Sequence, residues 1–219
     1  MSERLAAYKR NFTEEDAPGL DAITDKEREI YGPQEPHHWA TILPYELGGK
    51  DPLWGVNCFV NEKQVSHFHY VTMGFSKLFY NEELAEEEVS GFGFELTFRH
   101  LPVEGDPEKP VWPVNMMQNL ARYVFSSGNA FDDLHFMSAN GPLRLGSDTE
   151  ITAIIFYTDP EMGEIDTPHG YVKFLQLFGI TTNEYNDLQE KKYTAKELLE
   201  KHKEENPLLV TDLNRKYIL

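Results

Sequence analysis

His67 and His69 are the residues whose type and spacing first suggest chemistry. They stand two apart in His67-Phe68-His69-Tyr70, and a strand places residues i and i+2 on one face. Neutral imidazole is a common metal ligand, and cupin-type metal sites begin with this pattern. Asp and Glu are plentiful as further ligands, so a metal-dependent enzyme using His67 and His69 is one reading. Against it, the sequence has no His-Glu-x-x-His motif and no paired cysteines. Cys58 is the single cysteine, which leaves no disulfide within this sequence. In Val56-Asn57-Cys58-Phe59-Val60 it reads as a small core residue rather than a nucleophile. There is no Gly-x-Ser-x-Gly elbow and no P-loop. Acid pairs such as Asp132-Asp133 are too common in an acidic chain to mark catalysis. The residues therefore predict no catalytic group, no metal and no cofactor.

Charge points the same way. The sequence carries 37 acidic and 20 basic residues, a net charge of −17. Phosphate neutralisation needs Lys and Arg, so nucleic acid and anionic membranes are poor partners. A basic protein is a better one. A chain of 219 residues is one large domain, or at most two small ones, with a core that needs no staples. The opening MSERLAAYKR lacks an apolar run of signal length, and no stretch approaches a membrane span. The expectation is a cytoplasmic protein.

The elements that must position any site are organised around Gly91–Arg99. Its alternation places Phe92, Phe94, Leu96 and Phe98 on one face, and Gly91, Gly93, Glu95, Thr97 and Arg99 on a polar one. Glu95 and Arg99 are expected to find polar partners on neighbouring strands. Two glycines at the strand start suggest close packing there. Residues 1–18 are polar and lightly patterned. Leu20, Ile23, Glu27, Ile30 and Tyr31 form a helical stripe that Gly32-Pro33 ends. Strands are predicted at His38–Leu43, Trp54–Asn61, His67–Gly74, Leu134–Ala139, Glu150–Thr158 and Tyr171–Ile180. Within Glu150–Thr158 the alternation groups Ile151, Ala153, Ile155 and Tyr157 against Ile154 and Phe156. The Glu run from Glu82 to Glu88 reads as a loop or helical turn.

Pro113–Ser127 is the clearest helix, with Gly128 as a left-handed cap. Asp187–Tyr193 reads as a helical turn. Thr194-Ala195-Lys196-Glu197 is a capping box that opens a helix to about Glu204. Leu208–Leu219 reads as a strand and tail. The fold class is α+β, a single domain with a mixed β-sheet covered by helices.

Gly91–Arg99, followed by Trp112-Pro113 and Leu120-Ala121-Arg122-Tyr123-Val124-Phe125, resembles the N-terminal domain of Suppressor of fused (SUFU). Further matches follow in order: Gly48–Leu53, His67–Tyr70, Thr158-Asp159-Pro160, Thr167–Gly170 and Thr211-Asp212-Leu213. The resemblance implies an N-terminal segment with a helix over 1–29, packed on a SUFU-like domain over 30–219. It also implies a non-enzymatic module with a protein or peptide partner. In that family a Tyr at the end of the helix and a following Asp contact a short peptide of a Gli-type transcription factor. The Tyr matches Tyr123; the Asp best matches Asp133, with Asp132 the alternative. A second domain completes the clamp in the eukaryotic proteins. Stand-alone bacterial members are associated with toxin–immunity systems, which implies an immunity protein, or antitoxin, that neutralises a basic toxin. A peptide-binding regulator of a transcription factor is the alternative that the same resemblance implies.

Overall fold

The computed structural model describes residues 2–217. Helix α1 spans Glu3–Asn11 and α2 spans Pro18–Tyr31. Strands β1 (His37–Ala40), β2 (Gly55–Asn61), β3 (His67–Met73) and β4 (Val89–His100) follow. After α3 (Trp112–Ser127) come β5 (Phe136–Ser138), β6 (Ile151–Thr158), β7 (Glu164–Thr167) and β8 (Gly170–Thr181). Helices α4 (Thr182–Gln189) and α5 (Ala195–Lys203) end the regular structure. The strands form one sheet in the order β1-β2-β3-β4-β8-β6-β5, with β7 also on β8. The β4–β8 pairing is parallel and the others are antiparallel, so the sheet is mixed. No described helix is long and apolar enough to cross a membrane.

Both faces of the sheet are covered. On one, Phe94, Leu96 and Phe98 join Tyr70, Leu175, Leu177 and Phe156 beneath Met117, Leu120 and Val124 of α3. On the other, Ile23 of α2 packs on Val71, Met73 and Phe174. Further along that face, Leu198 and Leu199 of α5 pack on Ala153, Ile155 and Phe178. Gly128 caps α3 at φ 74°. Thr194 and Glu197 form the reciprocal capping box of α5. The two strand glycines earn their place sterically. Gly91 sits at φ 59°, and a Cβ there would lie 2.4 Å from the Phe75 carbonyl oxygen. The β4–β8 register shifts between Val89 and Phe94, across both glycines.

Several expectations need correction. The polar face of β4 is buried as deeply as the apolar one: Glu95, Thr97 and Arg99 are all fully buried. Their predicted partners are there. Glu95 accepts from Thr72 Oγ1 at 2.7 Å, the Gly74 and Ser76 amides at 2.9 Å, and Ser76 Oγ at 2.6 Å. A bulge between Ile151 and Ala153 moves Ile151 onto the α3 face, because one extra residue inverts the alternation. The polar start of the chain forms α1, and the helix near 187 begins earlier, under its own capping box of Thr181 and Glu184. The short strand β7 was not anticipated. The predicted terminal strand is reduced to one bridge, His100 to Thr211; Ile218 and Leu219 of that stretch lie outside the described residues.

Candidate partner-binding surface

Tyr123 lies on the last full turn of α3 and is 44% exposed. It is not a loose surface ring. It stacks on Phe131 with centroids 5.8 Å apart, and Phe131 stacks on Phe156 of β6 at 4.1 Å. The three rings run from the core to the surface. Asn129 Nδ2 donates to the Tyr123 hydroxyl at 3.2 Å. Each ring contact restricts the next, so Tyr123 is presented in one orientation at little further entropic cost.

Two hollows flank this ring. A groove of about 580 Å³ runs beside α3, lined by Trp112, Met116, Leu120, Met137 and Leu143 among others. A shallower one of about 410 Å³ lies over Phe131, Leu134 and Phe136. Both include Met137 of β5, which ends the sheet and, among the described residues, pairs only with β6. The outer edge of β5 therefore leaves backbone donors and acceptors without a strand partner.

Asp132 and Asp133 follow in the loop but line neither hollow. Lys173 Nζ donates to both, at 3.1 Å and 2.9 Å. Asp133 also accepts from the Thr158 amide at 2.6 Å and its hydroxyl at 2.8 Å. It ties the end of β6 to β8 and to the loop. Asp132 is the more exposed carboxylate. The Asp133 amide, donating at 2.8 Å, and Lys173 hold its carboxyl below the ordinary value. The structure thus separates the two: Asp133 braces the loop, and Asp132 faces outward with Lys173 at its side.

His67 and His69 do share a face, as their spacing requires, but their ring nitrogens are engaged. His69 Nε2 contacts Asp159 Oδ2 at 3.0 Å, and its Nδ1 meets the Tyr31 hydroxyl. His67 Nε2 contacts Arg99 Nη1 at 3.1 Å, and its Nδ1 meets the Val65 carbonyl at 2.7 Å. The guanidinium of Arg99 occupies the centre, contacting Asp159 Oδ1 at 3.0 Å, Glu161 Oε2 at 2.9 Å and Gln176 Oε1 at 3.1 Å. Burial would raise the Asp159 pKa, but Arg99 and His69 hold its carboxyl well below the carboxylate range. Burial and Arg99 push His69 down to about 4, so it is neutral near pH 7. Among the described residues no three His, Cys, Asp or Glu converge to hold a metal ion. Arg99, the cation of this cluster, contacts His67 directly and shares Asp159 with His69.

The sequence reading missed Phe131, Met137 and the two hollows, since their role depends on the sheet edge. It also missed Asp159, whose signal was only a Thr158-Asp159-Pro160 match. Glu27 carried a visible signal: a carboxylate on the apolar stripe of α2, where it is buried to 2% exposure.

The family model described as Suppressor of fused protein (SUFU) matches residues 49–216. Suppressor of fused homologs of Homo sapiens and Mus musculus are each 37% identical over 211 residues. The match covers 90% of this chain and 43% of each relative, so the chain spans less than half the length of those proteins. Among solved structures, a chain of the Sufu-Fu complex superposes with a TM-score of 0.81 at 30% identity, covering 92% of both chains. Drosophila Suppressor of Fused gives 0.81 at 30% identity, covering 94% of this chain and 52% of that one. A putative SUFU homolog from Neisseria gonorrhoeae shares the fold, with a TM-score of 0.59 at 15% identity over 90% of this chain and 95% of that one.

Proposed function

Because the chain belongs to the Suppressor of fused family, we propose that it is a non-catalytic protein-binding module. It takes its partner on the face formed by Tyr123, the loop after α3 and the free edge of β5. The observation that carries this is Tyr123, an exposed ring braced by a stack into the core and flanked by two hollows. Rigid aromatic side chains are favoured anchors because they desolvate a large area at low entropic cost. A protein as partner is supported by the similar chain in the Sufu-Fu complex.

The net charge of −17 favours a basic partner. Within this reading the protein is an immunity protein or antitoxin that covers the active face of a basic toxin. Asp132 is the carboxylate available to steer association, while Asp133 holds the loop. The β5 edge favours a second reading, a peptide-binding regulator of a transcription factor, because an unpaired strand edge accepts an extended segment.

The test is kinetic binding of the purified protein to the product of the neighbouring gene, with folding of each variant verified. Tyr123→Ala is expected to weaken binding by roughly 2 kcal/mol or more, chiefly through faster dissociation. Asp132→Asn should slow association, and the effect should fade as salt shortens the Debye length below about 8 Å. A folded Tyr123→Ala variant that binds like the parent refutes the proposed face.

A further inference from the structure

A second cleft, of about 340 Å³, opens between α2 and the strands β1 and β2, at the opposite edge of the sheet from Tyr123. Glu27 and Asn57 line it and are 2% and 4% exposed. Among the described residues the Glu27 carboxylate receives a single side-chain donor. Asn57 Nδ2 contacts its two oxygens at 3.0 Å and 2.9 Å. On the other side His38 Nδ1 meets Asn57 Oδ1 at 2.7 Å, and the tautomer with its proton on Nδ1 donates there and holds the amide in this orientation. The His38 ring in turn lies against Gly55, where a Cβ would come within 2.3 Å of its Cε1.

This chain of contacts turns a donor, not an acceptor, toward Glu27. A protonated carboxyl needs an acceptor for its O–H, whereas an ionised one accepts only. The arrangement is therefore built around the carboxylate. A buried carboxylate calls for a cation, yet among the described residues Glu27 has no ion-pair partner. Its neighbours on α2 are spoken for: Arg28 pairs with Asp25 at 3.0 Å and Lys26 with Glu29 at 2.9 Å, both near the surface. The remaining charged or titratable groups facing the cleft are His38 from β1 and Glu35 from the segment before it.

The other walls are apolar. Leu20, Phe59 and Met73 flank the carboxylate, and Trp54, 36% exposed, is the remaining aromatic wall. An aliphatic stem with a cationic head fits such a site: the stem covers the apolar walls while the head reaches the acid. An aromatic face beside it adds cation–π attraction.

We propose that this cleft is a binding site for the cationic side chain, lysine or arginine, of a partner protein, received by the Glu27 carboxylate. It supplies the counter-charge that α2 buries Glu27 without. The site is independent of the Tyr123 face and needs no particular partner to be tested. Burial raises Glu27 to about 7, so a cation must displace a proton at lower pH, and its affinity should rise with pH.

The experiment is an NMR titration of the whole chain with Nα-acetyl-arginine methylamide and with Nα-acetyl-lysine methylamide. The Glu27 carboxyl carbon and the Asn57 side-chain amide are the reporters. Saturable shifts at both are expected with at least one cation, and the two probes rank guanidinium against ammonium. Affinity should be roughly tenfold higher at about pH 8 than at about pH 6. Glu27→Gln, which keeps the shape and can still meet Asn57, should bind at least about tenfold more weakly, with an otherwise native spectrum. The uncharged Nα-acetyl-norleucine methylamide should not bind. Three results each overturn the proposal: no saturation with either cation, equal affinity for the norleucine analogue, or an affinity independent of pH in the parent protein. The last reading stands even if the Gln variant folds poorly.

Discussion

Asp159→Asn should be among the most damaging isosteric substitutions in this protein. Asp159 is fully buried and acts only as an acceptor. Its Oδ1 takes Arg99 Nη2 at 3.0 Å and the amides of Glu161 and Met162 at 2.8 Å and 2.9 Å. Its Oδ2 takes Thr97 Oγ1 at 2.7 Å and His69 Nε2 at 3.0 Å. Asparagine keeps an acceptor for only one of these sets: either its NH2 group faces Arg99 and two amides, or the Thr97 hydroxyl and the neutral His69 ring must reverse their roles to accept it. It also removes the charge opposite Arg99 and leaves Glu161 as the remaining counter-ion. Breaking a buried pair from one side costs about 3–5 kcal/mol. For a chain of this length about 1 kcal/mol moves the thermal midpoint by about 2–4 °C. The expected drop is thus about 6–20 °C near pH 7.

The pH dependence has a definite sign. The folded carboxyl lies well below its ordinary 3.8, so its contribution is fully present above that value and is lost only as pH falls through the folded one. The gap between parent and variant should therefore persist at neutral pH and close in strong acid. Calorimetry together with guanidinium titrations at several pH values measures it. A double-mutant cycle with Arg99→Met separates the pair from the rest, because removing both charges should cost less than the sum of the single changes. A midpoint shift under about 2 °C, or strict additivity in the cycle, refutes the view that Asp159 is the counter-charge of Arg99.

Phe98→Ala empties a fully buried site between Tyr70 and the α3 layer and should cost about 3–5 kcal/mol in denaturant titrations, as should Phe94→Ala; unchanged midpoints would reject the assigned face. Glu27→Gln should stabilise the protein by up to about 3 kcal/mol above pH 7 and by nothing near 4.5, since the folded value of about 7 exceeds the ordinary 4.5 and the parent is penalised only where the unfolded carboxyl is ionised; pH-resolved stability curves of the two proteins check the crossover. Thr194→Ala removes the side chain that accepts from the Glu197 amide at 3.2 Å and should cost about 1 kcal/mol, with amide exchange speeding first at the start of α5.

The sequence by itself determined the elements whose causes are local. Alternation located β4 and its apolar face, because each side chain's direction on a strand follows from its neighbours alone. Pro113 and Gly128 bounded α3, and Thr194 with Glu197 opened α5, because caps act within one turn. The mixed sheet under helices followed from the order of such elements, and the family from residue motifs that recur in the same order along the chain. What tertiary structure alone decided concerns groups brought together from far along the chain. Periodicity marked Glu95, Thr97 and Arg99 as polar, but their burial depends on α2 and on the Asp159–Met162 turn closing over that face. The spacing of His67 and His69 was read correctly, yet what they bind was settled by Arg99 and by Tyr31 from another element. Asp132 and Asp133 look equivalent in sequence; Lys173 and Thr158 make one a brace and leave the other outward. Ile151 changed faces through a bulge defined only by pairing with β8. Backbone direction is a short-range property that sequence spacing encodes, whereas solvation and charge partners are properties of the assembled interior.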